Sequence, residues 1–251
     1  SSLSYLDAQV KDAGYTVGAY ATLGAAWKQL VEVGGTRTRV EYLSGYVLEQ
    51  NDLTAAYSHF WARGSARMGA HLVSSTDSLT DGGLVAFGGA SVYRVGSWSA
   101  GAEAALSSFP EYGGGLTAVQ VAPSLGVSAT AGASTYLSAV LRSYYIRLSE
   151  DVGLDARSFL SGEASASVTS GRLTLSGYAW GGEQAFAVRQ GGFLVFNLAE
   201  LHTGGYGGGL RWVLTPRSAL SAGLYLERFE DMELGSKARV RTLSLSLGFT
   251  L

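Results

Sequence analysis

The amino-acid sequence predicts an all-β chain folded as a transmembrane, antiparallel up-and-down β-barrel of about fourteen strands, with about 12 or 16 as the alternatives. Three observations predict it. Polarity alternates residue by residue over segments of about ten, each bounded by turn residues, as a strand does with one face in lipid and one in a polar lumen. No run of about 20 apolar residues occurs, so a helical span is excluded; a closed barrel is the other structure that satisfies every backbone group in hydrocarbon. Charged residues make up 15% of the chain, below the roughly 25% of soluble domains, while hydrophobic residues reach 47% and prolines number 3.

Taken in order, an initial strand runs from Leu3 to Lys11, with Leu6, Ala8 and Val10 opposed to Asp7, Gln9 and Lys11. Tyr15–Val31 and Thr36–Leu48 follow as a hairpin turning at Gly34-Gly35. Leu53–Ala62 and Ser65–Val73 turn at Arg63-Gly64, and Leu84–Arg94 and Ser97–Leu106 at Val95-Gly96. Leu116–Ala129 and Thr135–Leu148 flank Thr130-Ala131-Gly132; Ser158–Val168 and Arg172–Trp180 flank Thr169-Ser170-Gly171. The stretch 181–205 reads as a long excursion, because its glycine pairs break the alternation. Tyr206–Leu214 and Ser218–Glu227 turn at Thr215-Pro216-Arg217. The last strand, Arg239 to Leu251, sets Leu243, Leu245, Leu247, Phe249 and Leu251 against Thr242, Ser244, Ser246, Gly248 and Thr250. Its apolar, aromatic end is similar to the C-terminal insertion signal of outer-membrane proteins, with Leu251 where phenylalanine is usual.

Turn lengths orient the barrel. Short turns are expected on the periplasmic side, and longer connections at 74–83, 107–115, 149–157, 181–205 and 228–238 outside, together with short ones at 12–14 and 49–52. Tyr57, Trp61, Tyr93, Trp98, Tyr206 and Trp212 fall near strand ends on the lipid face, where rings with a polar edge suit the headgroup level. The other face carries Arg37, Arg39, Glu41, Arg67, Glu103, Arg142, Glu163, Arg172 and Arg211 as pore-lining candidates, with Asp7, Lys11, His71 and Arg157 beside them. Charges of both signs in a low-dielectric wall pair across the lumen. Such a lining either sets solute selectivity or stiffens a filled interior.

No linker or composition shift divides residues 1–251, so one domain is expected. The absence of cysteine fits an oxidising envelope, and the absence of a leader pattern fits a mature or trimmed chain. The net charge of −2 argues against nucleic acid as a partner. Catalysis is not expected: His59 shares the lipid face with Met68, His71 faces the lumen near Ser58 without an evident acidic partner, and His202 lies in the excursion with Glu200. The glycine strings at 113–115 and 207–209 lack a Gly-Lys-Ser/Thr ending, so they are not phosphate loops. The acidic run Glu230, Asp231, Glu233 offers oxygen ligands to a divalent cation, but a solvated loop explains it better. No metal, cofactor or catalytic residue is assigned.

The run from Trp180 to Trp212, WGGEQAFAVRQGGFLVFNLAELHTGGYGGGLRW, resembles the C-terminal region of YaiO-type outer-membrane barrels. Those are similar to the barrels of exopolysaccharide secretion porins, and the resemblance implies passage of a polysaccharide. The sequence therefore points to a bacterial outer-membrane porin or channel passing small solutes or a polysaccharide through a mixed-charge lumen. Its partners are lipid bilayer, lipopolysaccharide and, as further options, glycans or envelope proteins. The alternative is a plugged barrel acting as scaffold or docking partner, with 181–205 folded inward or projecting. An outer-membrane enzyme ranks third.

Overall fold

Strands with one apolar and one polar face satisfy their backbone groups by pairing side by side, and in lipid the two outermost strands must pair as well. The computed structural model of the chain does both. It describes residues 1–6, 8, 10–26, 28–154, 156–196, 198, 200–231 and 236–249. The strands are β1 (Ser2–Leu6), β2 (Lys11–Ala26), β3 (Gln29–Tyr42), β4 (Val47–Trp61), β5 (Gly64–Ser75), β6 (Leu84–Arg94), β7 (Trp98–Phe109), β8 (Leu116–Ala131), β9 (Thr135–Leu148), β10 (Ser158–Ser170), β11 (Leu173–Gln184), β12 (Val188–Arg189), β13 (Leu194–Val195), β14 (Glu200–Thr215), β15 (Ser218–Asp231) and β16 (Ser236–Phe249). All but β12 and β13 form one closed antiparallel barrel of 14 strands, each bonded to its chain neighbour, with β1 pairing both β2 and β16. β12 and β13 form a separate two-stranded hairpin. The predicted Asp7, Gln9, Glu233, Thr250 and Leu251 features lie outside the described residues.

Short connections gather at one end of the barrel and long ones at the other, as the alternation of turn lengths predicts. The outward face carries a band of exposed apolar side chains, among them Val17, Met68, Leu125, Leu141, Leu160 and Leu245. Trp61, Trp98, Trp212 and Phe249 close that band toward the short-turn end. Such a surface is stable against hydrocarbon rather than water.

Three predicted features are corrected. The connections expected at 12–14 and 49–52 are strand, inside β2 and β4; β1 ends at Leu6, Lys11 opens β2, and β3 and β4 connect through 43–46. Gly34 and Gly35 are not a turn; they lie mid-strand in β3, and the reversal falls between Ala26 and Gln29. Gly34 is needed there for room, since a Cβ on it would run into the Tyr20 ring and lie 3.0 Å from Phe193. The excursion is shorter than expected, because β11 continues to Gln184 and β14 starts at Glu200 through irregularities at Gly181/Gln184 and His202/Gly204.

Candidate functional site

Two different linings follow from the inward-facing residues. Toward the short turns many inward positions are serine, threonine and glycine. Register partners meet there through their hydroxyls: Ser65 with Ser91 at 2.9 Å, Ser138 with Ser167 at 2.8 Å, and Thr169 with Thr174 at 3.0 Å. Toward the long connections many inward positions are large, apolar and buried, including Val85, Phe109, Leu116, Ile146, Leu148 and Phe159.

The connection between β11 and β14 turns into the barrel and completes that apolar half. Ala185, Phe186, Ala187, Val188 and Val195 are buried in one cluster with the wall residues. Phe186 packs against Phe109 and Tyr112, with ring centroids 5.3 Å and 5.6 Å apart. A polar segment inside a barrel must satisfy its backbone, and the wall supplies the partners. Gln120 Nε2 donates to the Val188 carbonyl at 2.6 Å, and its Oε1 accepts the Val188 N–H at 2.9 Å, so one side chain replaces a strand neighbour. At the hairpin tip Gly192 has φ +93° and rests against the Phe87 ring, where a Cβ would collide.

Charges ring the junction of the two halves. Arg189, at the end of β12, is 6% exposed; it pairs with Glu163 on β10 and with Glu227 on β15 at 3.5 Å. Its guanidinium carbon lies 5.0 Å from the Trp180 ring centroid and 5.8 Å from those of Tyr144 and Tyr178. A desolvated cation caged by rings and held by two carboxylates is a strong anchor. Arg67 pairs with Glu32 and lies over the Phe193 ring at 5.3 Å. Arg142 pairs with Glu103 at 3.2 Å; Lys11 and Glu200 pair away from this ring, at the long-connection ends of β2 and β14.

On the opposite wall, His71 Nε2 is 3.0 Å from Asp52 Oδ1. Its Nδ1 is 2.7 Å from the Thr54 hydroxyl and 3.0 Å from the Gly192 carbonyl oxygen. The expectation that His71 has no acidic partner is thus corrected. Thr54 is its register partner on β4, and Asp52 is two residues along on the same inward face. All three side chains are largely buried against the inward hairpin.

Beneath the hairpin, on the short-turn side, are two cavities. One of about 330 Å³ lies between Arg142, Glu163, Tyr178, Arg189 and Tyr225. The other, of about 310 Å³, lies between Ser65, Arg67, Ser91, Ser99, Glu103 and Ser124. Arg142 lines both.

The pore-lining candidates therefore divide. Register turns Arg67, Glu103, Arg142 and Glu163 inward at the charged junction and Arg211 inward nearer the short turns. Arg172 sits at the short-turn rim, its guanidinium donating to the Leu214 carbonyl at 3.5 Å. Arg37, Arg39 and Glu41 do not line the lumen. They pair in register with Asn51, Glu49 and Val47 on the outward face of β4, and Arg37 meets Glu49 at 3.0 Å while Arg39 meets Glu41 at 3.3 Å. The reason is height: near the long-connection end an outward side chain has left the hydrocarbon, so charge no longer marks the inner face. Tyr93 is corrected in the reverse sense, sharing the inward parity of Ser91 and bonding the Trp61 and Gly64 carbonyls at the rim. Sequence reasoning missed Glu32, Asp52, Gln120, Arg189 and Glu227. Once β2 and β3 are registered correctly, parity exposes Glu32; Arg189 gives no such signal, because its segment has no strand period.

No protein-family model matches the chain, and no curated protein matches it. Solved structures do. The CymD monoaromatic hydrocarbon channel matches with a TM-score of 0.59 and 7% identity, over 100% of this chain and 86% of that one. A bacterial polysaccharide outer membrane secretin gives 0.56 and 10%, over 100% and 96%. A FadL homologue of Pseudomonas aeruginosa gives 0.53 and 11%, over 92% and 77%. The fold is that of an outer-membrane β-barrel. At these identities the likeness carries architecture alone.

Proposed function

We propose that this chain is a channel of the bacterial outer membrane, its long connections outside, closed in the present state by its own β12–β13 hairpin. The observation that carries the reading is the lining below the hairpin: hydroxyls, glycines and paired charges surround two cavities on the short-turn side of the inward segment. Small polar solutes suit this lining best, with Arg67, Arg142, Glu103 and Glu163 as the charges that set selectivity. A glycan chain is the alternative cargo, supported by the hydroxyl ladders and by the architecture shared with the polysaccharide secretin. The role is transport rather than catalysis, and the His71, Asp52 and Thr54 set fastens the hairpin.

The apolar packing of Phe186 against Phe109 favours a second reading, a permanently plugged barrel serving as scaffold or docking partner. Planar-bilayer recording separates the two. The wild-type barrel is expected to conduct weakly, and a barrel with 186–196 replaced by a short Gly-Ser linker several-fold more. Two folded, silent proteins would leave the scaffold.

A further inference from the structure

Arg189 differs from the other charges at the junction in where it comes from. Arg67, Arg142, Glu32, Glu103, Glu163 and Glu227 stand on barrel strands, whereas Arg189 belongs to the inward hairpin. Arg67 bonds Glu32 and Arg142 bonds Glu103. Among the described residues, Arg189 is then the cation that matches the two remaining wall carboxylates, Glu163 and Glu227. Arg142 also stands beside Glu163 in register, but turning to it would release Glu103. Whichever pairs form, the wall at this height is two cations short without the hairpin.

The wall around Arg189 is shaped for its head group. Glu163 on β10 takes Nη2, and Glu227 on β15 takes Nη1 at 3.5 Å, so the carboxylates hold two different nitrogens of the fork. Tyr144 on β9 lies 5.8 Å from the guanidinium carbon, and Tyr178 and Trp180 on β11 lie 5.8 Å and 5.0 Å from it. A fourth ring, Phe196 at 5.9 Å, belongs to the inward connection. A guanidinium is weakly hydrated, stacks on aromatic faces and meets carboxylates through its fork, so each wall group suits it. Trp180 contributes its ring alone, since its buried indole N–H has no partner among the described residues. With the hairpin withdrawn, Glu163 and Glu227 would be left without a cation among these rings, a costly state that a solute cation relieves. An approach exists from the short-turn side, where Glu163, Tyr178, Arg189 and Glu227 line the cavity of about 330 Å³.

We propose that Glu163, Glu227, Tyr144, Tyr178 and Trp180 form a binding site for solutes with a guanidinium head, and that Arg189 occupies it while the hairpin is docked. As a statement of cargo this rests on the channel reading above; as a binding site it rests on the wall geometry. The probe is N-butylguanidinium, titrated calorimetrically against the barrel in non-ionic detergent, with heat-modifiable migration reporting the fold. R189G vacates the site in the full chain, and the Gly-Ser linker in place of 186–196 vacates it a second way; both are expected to bind. Wild type is expected to bind about a hundredfold more weakly, because only the undocked fraction is competent. In the linker background, E163Q/E227Q should lose about a hundredfold, about tenfold for each charged hydrogen bond, and W180L about tenfold. The neutral isostere N-butylurea should not bind. No binding to either folded variant, equal affinity in E163Q/E227Q, equal binding of the urea, or wild-type affinity matching that of the linker variant would each overturn the site. A linker variant that binds the cation but carries no current would leave the site standing and remove the channel.

Discussion

The two halves of this lumen are made from the same strands yet solve opposite problems. Toward the long connections, many inward side chains are large and apolar, and the hairpin of β12 and β13 packs among them. Toward the short turns, many inward side chains are serine, threonine and glycine, too small to meet across the barrel, and hydroxyl pairs bond between strand neighbours instead. Closure is therefore local. It depends on one segment and its fastenings, while the barrel wall depends on register partners repeated around the circumference.

The sharpest way to break this contrast is Arg189→Ala. Removing the cation strands Glu163 and Glu227 in a low-dielectric ring, a loss of about 3–5 kcal/mol. It should appear as lost hydrogen-exchange protection over 185–196 with the wall strands still protected. Uniform loss over the whole barrel would show that the hairpin and wall are one cooperative unit. Gln120→Ala comes next, since it leaves the buried N–H and carbonyl of Val188 without their partner, at about 1–3 kcal/mol for each group. Its conductance should rise in the direction of the linker variant; unchanged current would mean that apolar packing alone holds the segment. Ser138→Ala in the open half removes one hydroxyl pair and should cost under about 1 kcal/mol, with no change in conductance. The smallest effect is expected from Arg37→Gln on the outer surface, within about 1 kcal/mol of neutral and without influence on ion selectivity. Arg67→Gln should shift selectivity, and matching behaviour of the two would undo their assignment to opposite faces.

Much of the wall was legible because strand parity is a local property. β16 shows it best: four alternating apolar residues from Leu243 to Phe249 give the face, the membrane side and the pairing with β15 together. The reading slipped where a residue type carries two meanings. Gly34 and Gly35 look like a turn, but Gly34 serves the close approach of Tyr20 and Phe193 from elements apart in the chain. Arg37 and Arg39 look like pore residues, but their height on β3 puts them level with headgroups.

The sequence by itself determined the closed antiparallel wall and its apolar belt, since each follows from a period of two and from the need to satisfy every backbone group in lipid; of the strand numbers it allowed, the structure selects 14. Tertiary structure alone decided that residues 185–196 enter the lumen. That outcome rests on partners such as His71 and Gly192, which are 121 residues apart, and on Arg189 meeting carboxylates from two different strands. A local pattern fixes which way a side chain points; only the assembled barrel fixes what it will find there.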